Sequence, residues 1–152
     1  METRVARPVV EGDPDRLLES AVGELRHSIE EAGRRRALDL PVQVAKAVVY
    51  VHRHVFEPKL NAAAVRTGCG VRNHNLTTFF HRTLGATLRD CIEGLRLEAA
   101  GRLLRSVPVE AFLIAAAVGY DNYETFCRAF RRRFGCTPRS LRTPANPMGQ
   151  LP

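Results

Sequence analysis

The chain has 152 residues, 45% hydrophobic and 26% charged, with a formal net charge of +7. Those values suit one ordinary domain, or a small domain with an extension, and exclude wholesale disorder. No signal-type N-terminus and no stretch of 18 consecutive apolar residues is present, and Cys69, Cys91, Cys127 and Cys136 lack metal or redox spacing, so membrane spans, export and metal binding are not expected.

The charge is unevenly placed. Residues 1–42 carry 7 Arg against 9 Asp+Glu, whereas residues 43–152 carry 16 Lys+Arg against 7 acids. The basic excess of the later segment predicts a polyanionic partner. Arg supplies 21 of the 23 cations, and guanidinium suits phosphate and guanine better than ammonium does.

Residues 1–12 read as a loose tail. Asp13-Pro14 then predicts a helix start, with Asp as N-cap and Pro in the first turn. Leu18, Ala21, Val22, Leu25, Ile29 and Ala32 continue at helical spacing to Arg34-Arg35-Arg36, which suits a helix C-terminus. Gly23 and Gly33 should each weaken this helix by roughly 1 kcal/mol relative to Ala. Val44, Ala47, Val48, Val51 and Val55 predict a second helix over 42–55, although Val48-Val49-Tyr50-Val51 would also suit a strand. His52 and His54 read as surface residues. After Pro58 the chain reads as short helices broken at Gly68, Gly85, Gly119 and Gly135.

An internal repeat sets the expected architecture. Leu76, Phe80 and Gly85 recur 50 residues later as Phe126, Phe130 and Gly135. Ala64 precedes Gly68 by four residues, as Ala115 precedes Gly119. Each copy reads as helix, Gly turn, helix with an apolar i, i+4 stripe, and Gly stop: a helix-turn-helix, twice. Between the copies, Thr87 is an N-cap candidate for an amphipathic helix from Leu88 to Leu104, whose Leu88, Cys91, Ile92, Leu95, Ala99, Arg102 and Leu103 mark a mostly apolar face. A helix of that length spans roughly 25 Å, suited to setting two DNA readers about one duplex turn apart. The expected organisation is an N-terminal tail and amphipathic helix (1–41), a double helix-turn-helix domain (42–142) and a disordered Pro-rich tail (143–152).

These residues resemble the DNA-binding domain of the AraC/XylS family of bacterial regulators. The ordered series Ile114-Ala115, Gly119-Tyr120, Phe126-x-Arg128-x-Phe130, Phe134-Gly135-x-Thr137-Pro138 and Arg142 carries the resemblance. Leu95-Arg96-Leu97, Ala100 and Leu103-Leu104 are similar to the family's linker helix, and Leu76, Phe80 and Gly85 to its first unit. The resemblance implies an all-α, homeodomain-like fold: seven helices in two units on a rigid linker, plus here the N-terminal amphipathic helix. It further implies a transcription regulator acting on double-stranded DNA and RNA polymerase in the cytoplasm, on the nucleoid, reading adjacent major grooves. Residues 1–42 are too few for a large effector domain, so the chain resembles small stand-alone members. No Ser/His/Asp or phosphate-loop motif suggests an enzyme, and no cofactor is expected. The alternative is a partner-binding protein that keeps the fold with weak or no specific DNA reading.

In the second unit, Asp121 or Asn122 should cap a helix that buries Phe126, Ala129, Phe130 and Phe134. The candidate DNA-binding residues are Tyr123, Glu124, Thr125, Cys127, Arg128, Arg131 and Arg132. Arg128 could donate two hydrogen bonds to guanine, and Glu124 could accept from cytosine. Arg131, Arg132, Arg133 and Arg139 should line phosphates. The 50-residue offset maps Glu124, Cys127, Arg128 and Arg131 onto His74, Thr77, Thr78 and His81. With Arg72, Asn73 and Arg82 these are the first unit's candidates, Arg72, His81 and Arg82 as phosphate contacts. Two features set this unit apart. Arg is common in the family where Thr78 stands. Gly68 to Leu76 is eight residues against about six in the common pattern, so the turn Cys69-Gly70-Val71-Arg72-Asn73 should be about two residues longer. Arg96 and Arg142 are candidate structural ion-pair or backbone contacts. The N-terminal helix needs a packing partner. Residues 14–36 should dock on their own domain or on a second copy as a homodimer, with Phe112 one candidate contact. Glu19, Glu24, Glu30 and Glu31 could compete with DNA for the basic face.

Overall fold

The structure, a computed structural model, describes residues 12–142; the expected tails, apart from Gly12, lie outside them. Eight α-helices occupy the described residues: α1 (Pro14–Ala37), α2 (Val42–His54), α3 (Ala62–Gly68), α4 (Leu76–Leu84), α5 (Leu88–Ser106), α6 (Ala111–Ala117), α7 (Tyr123–Phe134) and α8 (Pro138–Arg142). No strand occurs among the described residues. The ambiguous valine run is helical, because 3-4 spacing lets Val44, Ala47, Val48 and Val51 share one buried face.

Side-chain caps start the helices where the sequence predicts. Asp13 accepts from the Asp15 amide at 3.2 Å, and Pro14 fills the first turn. Thr87 accepts from Asp90 N at 3.1 Å while Asp90 accepts from Thr87 N at 3.3 Å, a reciprocal capping box that starts α5. These two hydrogen bonds lower the Asp90 carboxyl pKa.

Two apolar cores lie along α5. Val44, Ala47, Val48, Val51, Leu60, Val65, Leu76, Phe80, Leu88 and Ile92 form the first. Leu97, Ala99, Ala100, Leu103 and Leu104 join Ile114, Ala115, Val118, Phe126, Ala129 and Phe130 in the second. Leu95 packs against both. The 19-residue linker helix (about 28 Å long) therefore belongs to both units, so neither can rotate without disturbing a core.

The N-terminal helix docks on its own domain. α1 packs chiefly on α2 and also on α5. Val22 is buried in the second core, with Leu17, Leu18, Ala21, Leu25 and Ile29 packed against it. Glu30 accepts from Arg34 at 2.7 Å and from Arg53 of α2 at 3.2 Å, so this acid pins α1 rather than standing free. Phe112 is 53% exposed and borders a concavity with Tyr123, Pro138 and Arg142 instead.

Two details correct the sequence reading. His52 is buried, not on the surface: it follows Val48 by one turn and its Nδ1 donates to the Val48 carbonyl at 2.8 Å. Gly33 permits this, since a Cβ there would stand 2.5 Å from His52 Cγ. The turn glycine corresponding to Gly119 is Gly70, not Gly68. Gly70 and Gly119 each lie two residues beyond their helix and have φ of 72° and 100°. Gly68 closes α3, where a Cβ would collide with the Tyr50 ring.

Candidate nucleic-acid interface

The second recognition helix is α7. Asn122, rather than Asp121, caps it by accepting from the Thr125 amide at 2.9 Å. Phe126, Ala129 and Phe130 turn inward, which leaves Glu124, Arg128 and Arg131 exposed on the opposite face. Glu124 and Arg128 face each other at 3.8 Å with both side chains more than two-thirds exposed, a loose pair that a base edge could separate. No ion pair engages Arg131 among the described residues.

The flanks of α7 differ from its centre. Tyr123 is 43% exposed and stacks on Phe126, ring centroids 6.0 Å apart. Partial burial, then a hydrogen bond with Cys127, raises its hydroxyl pKa. Cys127 is half-buried against the second core, not on the open face with Arg128. On the other flank, Thr125 lines a concavity of about 600 Å³ between the units, shared with Arg89, Glu93, Arg96 and Tyr120. Arg132 reaches Glu93 of α5 at 2.8 Å, which raises the guanidinium pKa further. Arg133 reaches Glu98 at 3.3 Å and lies over the Phe134 ring. Arg139, at the second position of α8, is exposed.

The first recognition helix, α4, is shorter. It begins at Leu76, the counterpart of Phe126, whereas α7 begins three residues before Phe126. The connection to it, residues 69–75, has two more non-helical residues than residues 118–122 of the second unit, but the predicted longer turn is not the reason. Leu76 follows the left-handed Gly70 by six residues and Phe126 follows Gly119 by seven, so the extra length is the missing first turn of α4. Asn73 is occupied within the protein. Its Nδ2 donates to Gln43 at 2.8 Å, and its Oδ1 accepts from the Asn75 amide at 2.9 Å. His74 therefore stands in the turn, not in the first helical turn that its offset from Glu124 predicts. On α4, Thr78, His81 and Arg82 are exposed, while Thr77 is half-buried.

Sequence reasoning passed over Arg66 and Glu93. Arg66 of α3 shares a concavity of about 580 Å³ with Arg72, Asn73 and His74, which makes a small basic surface beside α4. Its signal was its place in the last turn of α3. Glu93 gave no signal, because its role depends on a contact 39 residues away.

Arg96 fixes the relation between the units. It is buried and donates from Nε to the Val55 carbonyl at 2.7 Å and from Nη2 to the Glu57 carbonyl at 2.6 Å. Its guanidinium lies 5.8 Å from the Tyr120 ring centroid. Burial lowers the Arg96 pKa, and burial, followed by Glu93, pushes the Tyr120 hydroxyl up to about 12. Arg142 donates to the Leu104 carbonyl at 3.3 Å. Both arginines thus make the backbone contacts the sequence suggests.

Two helix-turn-helix units, each with a solvated recognition helix, on one shared helix define a double helix-turn-helix protein. Residues 65–143 match the model of a family described as a helix-turn-helix domain. The chain is 34% identical over 95 residues to the regulatory protein SoxS of Escherichia coli K12, covering 62% of this chain and 88% of SoxS. It is 33% identical over 96 residues to the HTH-type transcriptional regulator GlxA of Rhizobium meliloti, 63% of this chain but 30% of GlxA. Among solved structures, the C-terminal domain of AraT, a response regulator from Geobacillus stearothermophilus, superposes with a TM-score of 0.65 at 28% identity, covering 68% of this chain and 86% of that domain. The chain belongs to the AraC/XylS family of helix-turn-helix transcription regulators. No helix among the described residues is long and apolar enough to cross a membrane.

Proposed function

We propose that this regulator binds double-stranded DNA sequence-specifically, with α4 and α7 in adjacent major grooves. The observation that carries the reading is the pair of exposed recognition faces on one helix that shares both cores. Arg128 and Glu124 read bases in the second unit, with Tyr123 at their edge. Thr78 and His81, with Thr77 beside them, face the groove in the first. Arg131 and Arg139, together with Arg72 and Arg82, hold phosphates; Arg66 adds to the first unit's basic surface. Arg132 joins them only after leaving Glu93. RNA polymerase is the second macromolecular partner, as a regulator of this family requires a route to transcription.

The short α4 and the internal engagement of Asn73 favour a second reading, in which the protein keeps the fold but acts through protein partners. A duplex titration separates the two. With five to eight phosphate contacts, log K against log salt should slope about −4 to −7. A flat response would favour the partner-binding reading.

A further inference from the structure

We propose that Glu93 limits DNA affinity by holding Arg132 against the linker helix, so that one cation of α7 is withheld from the phosphate backbone. The inference rests on the DNA-binding reading above. Arg132 follows Arg128 by one helical turn and adjoins exposed Arg131, close enough to the reading face to serve phosphate. Its Nη2 instead meets Glu93 Oε1 at 2.8 Å. The two partners are unequal. The Glu93 side chain is 29% exposed and fixed on α5 in the concavity between the units, whereas Arg132 is 69% exposed on a long stem. Arg96, the buried cation in that concavity, is already committed to the Val55 and Glu57 carbonyls. Glu93 is thus the fixed member, and Arg132 swings either to it or to DNA.

The other pairs of α7 lack this character. Glu124 and Arg128 are both highly exposed and meet loosely. Arg133 follows Phe126 by seven residues, so it lies toward the buried side of α7, over Phe134 and against Glu98. A paired Arg132 adds no net charge to the interface and releases no counterion. Removing the Glu93 charge frees Arg132 to make one more phosphate contact, which carries no sequence information.

The test is titration of the full chain with a duplex of arbitrary sequence across salt. Glu93→Gln should bind more tightly than wild type, and its advantage should grow about threefold between roughly 200 and 50 mM salt, the signature of one added contact. Glu98→Gln should match wild type, and the double variant Glu93→Gln/Arg132→Ala should lose the gain. Wild-type affinity and slope in Glu93→Gln would overturn the proposal, as would a gain that persists in the double variant. Should Glu93→Gln melt below wild type, Arg132→Ala alone decides: an unchanged slope is expected, and a slope shallower by about 0.9 overturns the inference. A wild-type protein with no salt-dependent binding overturns the DNA reading itself, an outcome read on a different sample.

Discussion

Arg96 shows how one side chain can join two units. Its planar fork satisfies carbonyls at Val55 and Glu57, in the connection after α2, while its backbone belongs to α5. Lysine cannot span both acceptors, and a carbonyl left unpaired in a buried site costs free energy. Arg96→Lys should lower stability by about 2–3 kcal/mol in urea unfolding; an unchanged midpoint would contradict this account. The two glycines of α1 separate in the same assay. Gly23 faces open space, so Gly23→Ala should stabilise by about 1 kcal/mol. Gly33→Ala should destabilise, because the new Cβ meets His52. Burial, reinforced by Arg36 and opposed by the Val48 carbonyl, holds the His52 pKa below 6.5. The unfolded chain then binds the proton more readily than the folded one. The His52 contribution is therefore intact above pH 6.5 and is lost as pH falls from there toward the folded value. His52→Gln should flatten that part of the stability profile between about pH 7.5 and 5.5, and an unaltered profile would rule His52 out as its source. The burial of His52 was legible in principle, since it continues the Val44, Val48 stripe; its histidine chemistry drew the reading to the surface.

At the scale of elements, the two recognition helices are unequal copies. The 50-residue offset placed Leu76, Phe80 and Gly85 correctly because the structure repeats there in detail. Gly85 and Gly135 end α4 and α7 at φ of 72° and 70°, each donating to the carbonyl four residues earlier at 2.8 Å. The repeat runs further than the sequence reading took it, since Thr87 and Thr137 both accept from the amide three residues on, starting α5 and α8. The offset fails upstream of Leu76. There the left-handed Gly70 stands one residue nearer its stripe than Gly119 does, and the first helical turn is absent, taking His74 off the helix. A residue count cannot show which of two neighbouring glycines, Gly68 or Gly70, takes the left-handed turn. On the proposed DNA reading, the two units should read unevenly. Arg128→Ala should cost about 1–3 kcal/mol on the preferred site and relax one or two base positions. Thr78→Ala should cost less, since a hydroxyl lacks a bidentate contact. Competition binding with singly substituted sites measures both, and a larger loss for Thr78→Ala would reverse the assignment.

For the whole molecule, α5 and α1 carry the design. α5 makes the spacing of the two helix-turn-helix units a property of two packed cores. α1 covers the second core and is held to α2 through Gly33–His52 and Glu30–Arg53. Its need for a partner was legible from its length and amphipathic pattern. Which surface it would choose was not, because Val55, Phe56 and Leu103 assemble into one patch only after folding. Removing residues 1–38 should lower the melting temperature, since burying even one side chain such as Val22 contributes roughly 1.5–3 kcal/mol; unchanged melting would leave α1 without a structural role. The central claim is that both units read DNA at once, and selection of binding sites from random duplexes tests it most directly. The account predicts a bipartite motif with half-site centres about 10 base pairs apart, its sharper half being the one altered by Arg128→Ala. A single undivided motif, or no enrichment at all, would contradict it.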